Sequence, residues 1–465
     1  MATFGSFPGV RVQTVSGGIT GVRIGAEEKL LLFGEAEYDD TASPSDDEVD
    51  NLSNSAPAES PEQINARREA NDKFGDGSEL AEAMKEALAN GANIDFLYGV
   101  AVNRINAVGE TQSAQDGTLD HPPVFEDTSL ITVTDDGSAV DVEFRYGDGS
   151  GNPDPPTPTT ADTVFINPLT GQYAADAAPD VDYIFDYKYL DYASAFSASD
   201  VINTVNEDET GIFCSLSESD LVASSLQGQV STLRNDYQLV NALAPAEPND
   251  NSSETPPDAR YDTANYANAN QSITEEYFYK LAPVREEDEV KTVMGGVGGL
   301  FAGNAINDPI YNEALNGYQS LEQQFTKSDA DNIRNEDIIP IRDSGTLRVK
   351  GNRSTAFSES GATGADFWRR RITDRVILIG KLIGDRIIGR INDEATRNQA
   401  EREIRVQMES LVGDRLIRAN TGNEINWTVD VYEDSTNPDE VNIDIAFTPY
   451  GIVKRVDETI TINTN

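Results

Sequence analysis

The sequence predicts a multidomain α/β protein that carries an all-β insertion. The chain has 465 residues, roughly the length of three ordinary domains. In two parts of the chain, continuous apolar runs alternate with helical patterns, which is typical of sheets covered by helices. Between those parts, short runs with a period of two are separated by turns rich in Gly, Asp and Pro, and this pattern favours a separate β domain.

The first hundred residues predict strands around one helix. Residues 10–12 alternate apolar and polar side chains as in a half-buried strand, and residues 30–33 form an apolar run typical of a strand covered on both faces. A helix is predicted from Ser78, and it should end just before Gly91 because glycine is favoured immediately after a helix. A strand over 94–102 completes a β-loop-α-β unit.

The middle of the chain changes character near residue 106. Runs such as 129–134 and 140–146 alternate with period two, so a β-rich, outward-facing insertion is predicted over 106–199. Beyond it, an apolar strand at 211–216 and a following helix predict a return to α/β structure. The predicted division is an N-terminal arm at 1–25, an α/β region at 26–105 and 200–345, the insertion at 106–199, and a C-terminal domain at 346–465 that ends in a strand arm at 450–465.

The C-terminal domain is predicted to contain two helices followed by three strands. Asn392 is predicted to cap the second helix, which should end before Gly422, and alternating strands are predicted at 425–432, 441–448 and 453–462. The first helix is predicted from apolar residues spaced three or four apart, namely Trp368, Ile372, Val376, Ile379, Ile383, Ile387 and Ile391.

The net charge predicts a protein adapted to concentrated brine. The chain has 81 acidic and 35 basic residues, a formal charge of −46. Such a chain repels itself in dilute buffer, but at molar salt the Debye length falls to ~3 Å and screens exposed carboxylates. The alternative is an acidic protein that sequesters cations or partners. Residues 342–418 depart from this acidic composition, with 16 basic and 11 acidic residues. The overall negative charge disfavours binding to nucleic acid.

The sequence predicts no catalytic, cofactor or metal site, although a carboxylate-only hydrolase remains open. The single Cys214 excludes an internal disulfide framework and cysteine zinc sites. The single His121 leaves little for His-metal chemistry or Ser-His-Asp catalysis. The Gly-rich segment 294–303 has phosphate-loop spacing, but Asn and Ala at 304–305 replace the required Lys and Ser/Thr, so close backbone packing is predicted. For residues 148–154, a β-turn is favoured over a calcium loop.

No targeting or membrane segment is predicted. Residues 1–36 lack the pattern of a signal peptide, and the most apolar helix candidate, 372–391, carries six charged residues. The chain is therefore expected to be cytoplasmic or assembled in the cytoplasm.

Three consecutive arginines, Arg369, Arg370 and Arg371, stand at the predicted start of the first C-terminal helix. Positive charge at that end opposes the helix macrodipole. On so acidic a chain, we predict a specific anionic partner for them rather than a merely solvated helix start.

Several segments occur in an order that resembles the tail sheath proteins of contractile-tailed viruses, a family shared with contractile injection systems. The resemblance covers about 1–105 and 200–465. The segments are the Pro-Gly-Val strand at 8–10, the strand and glycine at 30–34, the helix and strand at 77–102, the Gly-rich segment at 298–304, the stretch at 338–355, the aromatic and arginine helix start at 367–371, and the helix at 392–413.

The resemblance implies a sheath core of mixed sheets and helices, with strand-exchange arms at both ends of the chain. Such subunits stack as hexameric rings around an inner tube, and contraction drives the tube through the host envelope without nucleotide hydrolysis. The implied partners are further copies of the chain, the inner tail tube protein, and baseplate and tail terminator proteins. The implied location is a virion tail assembled in the cytoplasm of a halophilic archaeal host, without cofactor, nucleic acid or membrane insertion.

The resemblance also implies residue roles. The strand arms would contain Val10, Val12, Val456, Ile460 and Ile462. The helix that faces the inner tube would contribute Arg369, Arg370, Arg371 and Arg375. Two alternatives stay open, the sheath of a cellular contractile injection system and, from another class, a halophilic surface or adhesin protein.

Overall fold

The structure is a computed structural model of the chain. It describes residues 10–12, 28–37, 48–49, 58–145, 155, 157–179, 181–206, 209–247, 273–285, 292–306, 308–321, 324–343, 345–356, 366–422 and 424–450.

The described residues form nineteen strands and nine α-helices. The strands are β1 Val10–Val12, β2 Lys29–Gly34, β3 Glu48–Val49, β4 Pro61–Gln63, β5 Leu97–Ala101, β6 Arg104–Gln112, β7 Asp116–Thr118, β8 Thr132–Asp135, β9 Ser138–Phe144, β10 Thr163–Ile166, β11 Gln172–Ala175, β12 Tyr183–Leu190, β13 Thr210–Ser215, β14 Leu239–Pro245, β15 Phe278–Ala282, β16 Ile338–Asp343, β17 Leu347–Val349, β18 Trp427–Glu433 and β19 Val441–Phe447. The helices are α1 Glu69–Phe74, α2 Glu79–Ala89, α3 Tyr192–Ser197, α4 Ser199–Thr204, α5 Asp220–Asn235, α6 Met294–Gly303, α7 Lys327–Asn335, α8 Phe367–Ile387 and α9 Glu394–Gly413.

The chain divides into two compact units that differ sharply in charge. The α/β unit comprises Gly25–Asn304 and Asn312–Phe367, and the C-terminal unit comprises Met1–Ile24, Ala305–Tyr311 and Trp368–Asn465. The α/β unit has 19 basic and 63 acidic residues, a net charge of −44, whereas the C-terminal unit has 16 basic and 18 acidic residues, a net charge of −2. Nearly all the excess negative charge therefore belongs to the α/β unit.

The α/β unit is built on a sheet in the order β17-β16-β15-β14-β13-β2-β5-β4. The six strands from β16 to β5 are parallel, and β17 and β4 pair antiparallel at the two edges. The apolar run 30–33 lies in the centre of the sheet and is fully buried, as its sequence predicts. Because β2 lies between β5 and β13, the strand order reverses there, as in doubly wound folds.

The Gly-rich helix α6 packs directly against the backbone of α2, as the sequence predicts. A Cβ atom at Gly295 or Gly299 would fall well inside the van der Waals radius of the backbone of Ala83 or Ala87. Both glycines therefore allow an approach that any side chain would prevent. On the opposite face of the sheet, helices α3 and α5 complete a core with side chains such as Phe33.

The insertion is a second eight-stranded sheet in the order β3-β6-β12-β8-β9-β10-β11-β7 with its own apolar core. Its strands from β6 to β12 span residues 104–190. Helix α3, which follows directly, contributes Tyr192 and Phe196 to the core of the α/β unit. The predicted insertion, which ends at residue 199, thus includes helix α3, whose side chains pack in the core of the α/β unit. The hydroxyl of Ser219 in the α/β region also donates to the carbonyl of Leu169 at 2.7 Å.

The C-terminal unit packs α8 and α9 against a sheet in the order β1-β19-β18. The predicted apolar stripe of α8 is buried from Trp368 to Ile383. Helix α8 ends at Ile387 and Gly389 has a φ of 80°, so Ile391 lies beyond the helix and is 80% exposed, contrary to the prediction. The cap of α9 is Asp393 instead of Asn392, since the Asp393 carboxylate accepts the Thr396 N–H at 2.8 Å. The predicted strands at 425–432 and 441–448 are present as β18 and β19, and the one at 453–462 lies outside the described residues.

Candidate assembly interface

The N-terminal strand lies at the edge of the C-terminal sheet. Strand β1 pairs parallel with β19, with Val10 opposite Val441 and Val12 opposite Ile443. The strand for which we predict exchange between copies thus pairs with its own chain in this structure. Backbone ladder bonds have the same chemistry whichever copy supplies the strand, so the edge of β19 is a strand-accepting edge. The other predicted arm residues, Val456, Ile460 and Ile462, lie outside the described residues.

The described part of β1 covers only part of this edge. Three residues of β1 lie opposite Val441 to Ile443, whereas β19 extends to Phe447. On its other side, β19 pairs antiparallel with β18 along the full length of both strands. The described pairing of β1 therefore accounts for the first three residues of β19.

The arginines at the start of α8 lie mostly inside the subunit. Arg370, Arg371 and Arg375 are buried, and Arg369 is half-buried. The Arg370 guanidinium donates through Nε and Nη2 to Oδ1 of the buried Asp374, at 2.9 and 2.7 Å. The structure therefore brings this set together on one helix but uses at least Arg370 in an internal ion pair.

The exposed cations of the C-terminal helices lie farther along, around a groove between α8 and α9. The groove has a volume of about 470 Å³, and its apolar lining includes Ile383 and Val406, the latter 62% exposed. Arg386 and Arg402 contribute positive charge to it, and Arg386 lies 3.5 Å from the Glu403 carboxylate. The sequence prediction missed these cations because the three consecutive arginines are the more conspicuous pattern.

A cluster of charges occupies the point in the α/β unit where the strand order reverses. Glu35 follows β2, Glu218 follows β13, and Arg285 follows β15. Arg285 pairs with Glu218 at 2.7 Å, and Glu79 begins helix α2 beside them. Burial, reinforced by the negative charges of Glu35 and Glu218, raises the pKa of Glu79 to about 8. No sequence pattern indicated this cluster, because paired acids are common throughout the chain.

This cluster disfavours an anionic ligand at the place where doubly wound folds usually bind one. In such folds, phosphate groups lie at the carboxyl ends of the strands, against a helix N-terminus. Here that helix begins with a glutamate, and two further carboxylates lie next to it. Among the described residues, no group of three or more His, Cys, Asp or Glu side chains is arranged to hold a metal ion.

The surroundings of the only cysteine and the only histidine in the sequence indicate packing roles. Cys214 is buried in β13, and burial raises the pKa of its thiol. The ring of the exposed His121 stacks on that of Tyr189 with centroids 4.7 Å apart. Within the described ranges, no helix has both the length and the apolar character required to span a membrane.

Solved structures, in contrast to sequence comparisons, match nearly the whole chain. No protein-family model and no curated protein sequence matches it. The helical sheath of the anti-feeding prophage in its contracted state aligns with a TM-score of 0.56 and 12% identity, covering 99% of this chain and 100% of that one. The sheath complex of the extracellular contractile injection system PVC, also contracted, aligns with a TM-score of 0.56 and 12% identity, covering 99% of each chain. A sheath tail protein from Listeria innocua aligns with a TM-score of 0.50 and 11% identity, covering 92% of this chain and 93% of that one.

At 99% coverage, the alignments with the two contracted sheaths include both units, and they agree with the collinear resemblance of the sequence motifs. The mixed α/β architecture predicted from the sequence is confirmed. The chain has the fold of the contractile sheath proteins.

Proposed function

We propose that the protein is the structural subunit of a contractile tail sheath. Its copies would stack as hexameric rings around an inner tube, and sheath contraction would drive the tube through the host envelope. The observation that carries this proposal is the match to sheath subunits over 99% of the chain. The carboxylate cluster at the strand-order reversal is consistent with a structural role, since it disfavours the nucleotide site that this architecture often holds.

We assign the subunit to a virion tail assembled in the host cytoplasm, with the tube, baseplate and terminator proteins as partners. The second candidate is the sheath of a cellular contractile injection system. One specific observation favours that candidate, since the PVC structure that matches is described as an extracellular contractile injection system. The surface or adhesin alternative has no such support.

Strand addition at the edge of β19 is the proposed link between copies. The pairing of Val10–Val12 with Val441–Ile443 supports it, because the N-terminal strand fits that edge in register. Each backbone bond contributes only ~0.5–1.5 kcal/mol net. Repetition around a ring and between rings raises the effective concentration of every further contact, so many weak links give a stable polymer.

For the contact with the inner tube, we retain Arg369 from the set predicted at the start of α8, because its side chain is half-exposed. Arg370, Arg371 and Arg375 would act indirectly, by holding the start of the helix within the subunit. Arg386 and Arg402 on the groove of α8 and α9 are added as exposed candidates.

Electron microscopy of the full chain tests the assembly. Concentrated protein in molar KCl is expected to form rings or tubes of uniform diameter in negative stain. A folded chain that stays monomeric at every protein and salt concentration would contradict the sheath proposal.

A truncation tests the strand links separately. Removal of residues 453–465 is expected to leave a folded subunit, because the described helices and sheets form their apolar cores from residues between 31 and 447. Light scattering in high salt should then show small species where the full chain forms large assemblies. Normal polymerisation of the truncated chain would contradict the role of the C-terminal arm.

A further inference from the structure

The two edges of the C-terminal sheet are not equivalent. At one end of the β18–β19 ladder, the Thr448 N–H donates to the Asn426 carbonyl at 2.7 Å, and just beyond the other end the Asp434 N–H donates to the Glu440 carbonyl at 3.0 Å. Bonded and non-bonded pairs alternate in an antiparallel ladder, so even-numbered residues of β18 bond to β19. The residues whose backbone groups point to the outer edge of β18 are therefore Trp427, Val429, Val431 and Glu433.

Two side chains bind three of the backbone groups in the first half of this outer edge. Oδ1 of Asn420 accepts the Trp427 N–H at 2.9 Å, and Nδ2 of Asn420 donates to the Trp427 carbonyl at 2.9 Å. These are the two bonds that a residue of an adjacent strand would make. Nη2 of Arg405, on α9, donates to the Val429 carbonyl at 2.7 Å, and its Nε binds Glu401 at 2.8 Å.

The edge of the parallel sheet in the α/β unit is closed differently. There the backbone N–H groups of Asn312 and Leu315 donate to carbonyls of β17, at 2.7 and 2.9 Å. A backbone segment fixes such an edge permanently, whereas side chains cover it without adding a strand. Uncovered edges pair with edges of other copies, and proteins commonly protect them.

We propose that Asn420 and Arg405 form an intramolecular cap that keeps β18 from pairing with a strand of a second copy. Strand addition between copies is thereby confined to the edge of β19, where β1 lies. The capped groups are the N–H and carbonyl of Trp427 and the carbonyl of Val429, so an incoming strand could not bond to them while Asn420 and Arg405 keep their contacts. This inference rests on the proposed function only in taking strand exchange as the link between copies.

The test removes the cap in the full chain. The double variant Asn420→Ala/Arg405→Met loses both bonds to Trp427 and the bond to Val429 but keeps an apolar stem at position 405. Sedimentation velocity on dilute protein should show self-association about tenfold tighter than that of the wild-type chain, the equivalent of one or two backbone bonds. Amide exchange of residues 427–433 should slow as the variant associates.

Matched variants separate the cap from other roles of the same residues. Glu401→Gln removes the ion pair of Arg405 but leaves the Val429 carbonyl covered, so it should sediment as the wild-type chain does. A folded double variant with the wild-type distribution would overturn the proposal, and so would association without slower exchange in 427–433. If the double variant does not fold, Arg405→Met alone is judged by the same two measurements. Because the comparison uses dilute chains, it stands even if the full chain forms no tubes.

Discussion

At the scale of single residues, position within the fold decides what a charge does. Arg370 lies four residues before Asp374, and that spacing on a helix is a signal for an ion pair that the sequence already contains. The burial of both residues could not be predicted, because it depends on packing around α8. The contacts of Asn420 and Arg405 with β18 could not be predicted either, because they depend on how the helix and the sheet pack together.

Glu79 gives a prediction of how stability depends on pH. Its pKa is raised from 4.5 to about 8 by burial and by Glu35 and Glu218, with Arg285 opposing the shift. Between these values the folded chain holds a proton that the unfolded chain releases, so this group makes the free energy of unfolding fall as pH rises. The slope is at most about 1.4 kcal/mol per pH unit, and solvent screening reduces it because Glu79 is only partly buried.

Glu79→Gln replaces the carboxyl with a neutral amide and should remove this contribution. Relative to the wild-type chain, the variant is expected to gain stability between pH 6 and pH 9 in denaturant titrations at constant high salt. Glu37→Gln, at an exposed acid two residues after Glu35, serves as the control for the loss of one carboxyl group. Equal slopes for all three chains would show that Glu79 does not titrate in this range.

At the scale of elements, local patterns predicted the structure where local physics determines it. The apolar run 30–33, the α8 stripe and the Gly-rich segment 294–303 all have the predicted burial or packing. The errors fall at ends, where Gly389 stops α8 early and Asp393 caps α9 in place of its equally suitable neighbour Asn392. Strand order and register could not be predicted, because they depend on contacts between segments distant in sequence.

The close contact between α2 and α6 predicts the effect of adding one methyl group to a glycine of α6. In Gly299→Ala, the new Cβ would meet the backbone of Ala87, which cannot rotate away as a side chain can. We expect a loss of about 1–3 kcal/mol in the free energy of unfolding, as for other overpacked cores. Denaturant melts of the purified chain measure it.

Gly228→Ala is the matched control, because it also lies inside a helix but its Cβ would meet open space. It should stabilise the chain by up to about 1 kcal/mol through helix propensity. If the two variants have the same free energy of unfolding, the close packing of α6 against α2 makes no measurable contribution to stability.

At the scale of the whole molecule, the insertion is predicted to be dispensable for polymerisation. Asn106 and Lys188 are direct partners on β6 and β12, so a short Gly-Ser-Gly link can replace residues 107–187. This deletion retains the residues of α3. Among the contacts that it removes are the Ser219 bond to Leu169 and the bond from the Phe125 N–H to the Lys188 carbonyl, each worth about 1 kcal/mol. The shortened chain should fold and form assemblies visible in negative stain.

A longer deletion, 106–199, provides the contrast. It would remove Tyr192 and Phe196 from the core of the α/β unit, and each such loss typically costs about 3–5 kcal/mol. We therefore expect it to fail to fold. A shorter variant that folds but no longer polymerises would show that the insertion takes part in assembly.

The distribution of charge between the units leads to a prediction about salt. The α/β unit carries −44 and the C-terminal unit −2, so self-repulsion is concentrated in the α/β unit. Raising KCl from about 0.1 to 1 M shortens the Debye length from ~10 to ~3 Å, and thermal stability should rise steeply over that range. Circular dichroism melts measure the rise, and hydrogen exchange resolved along the chain should show it mainly in residues 58–247. A melting temperature independent of KCl would contradict adaptation to brine. An equal gain in protection at 366–450 would contradict the assignment of the repulsion to the α/β unit, because the nearly neutral unit has little charge for salt to screen.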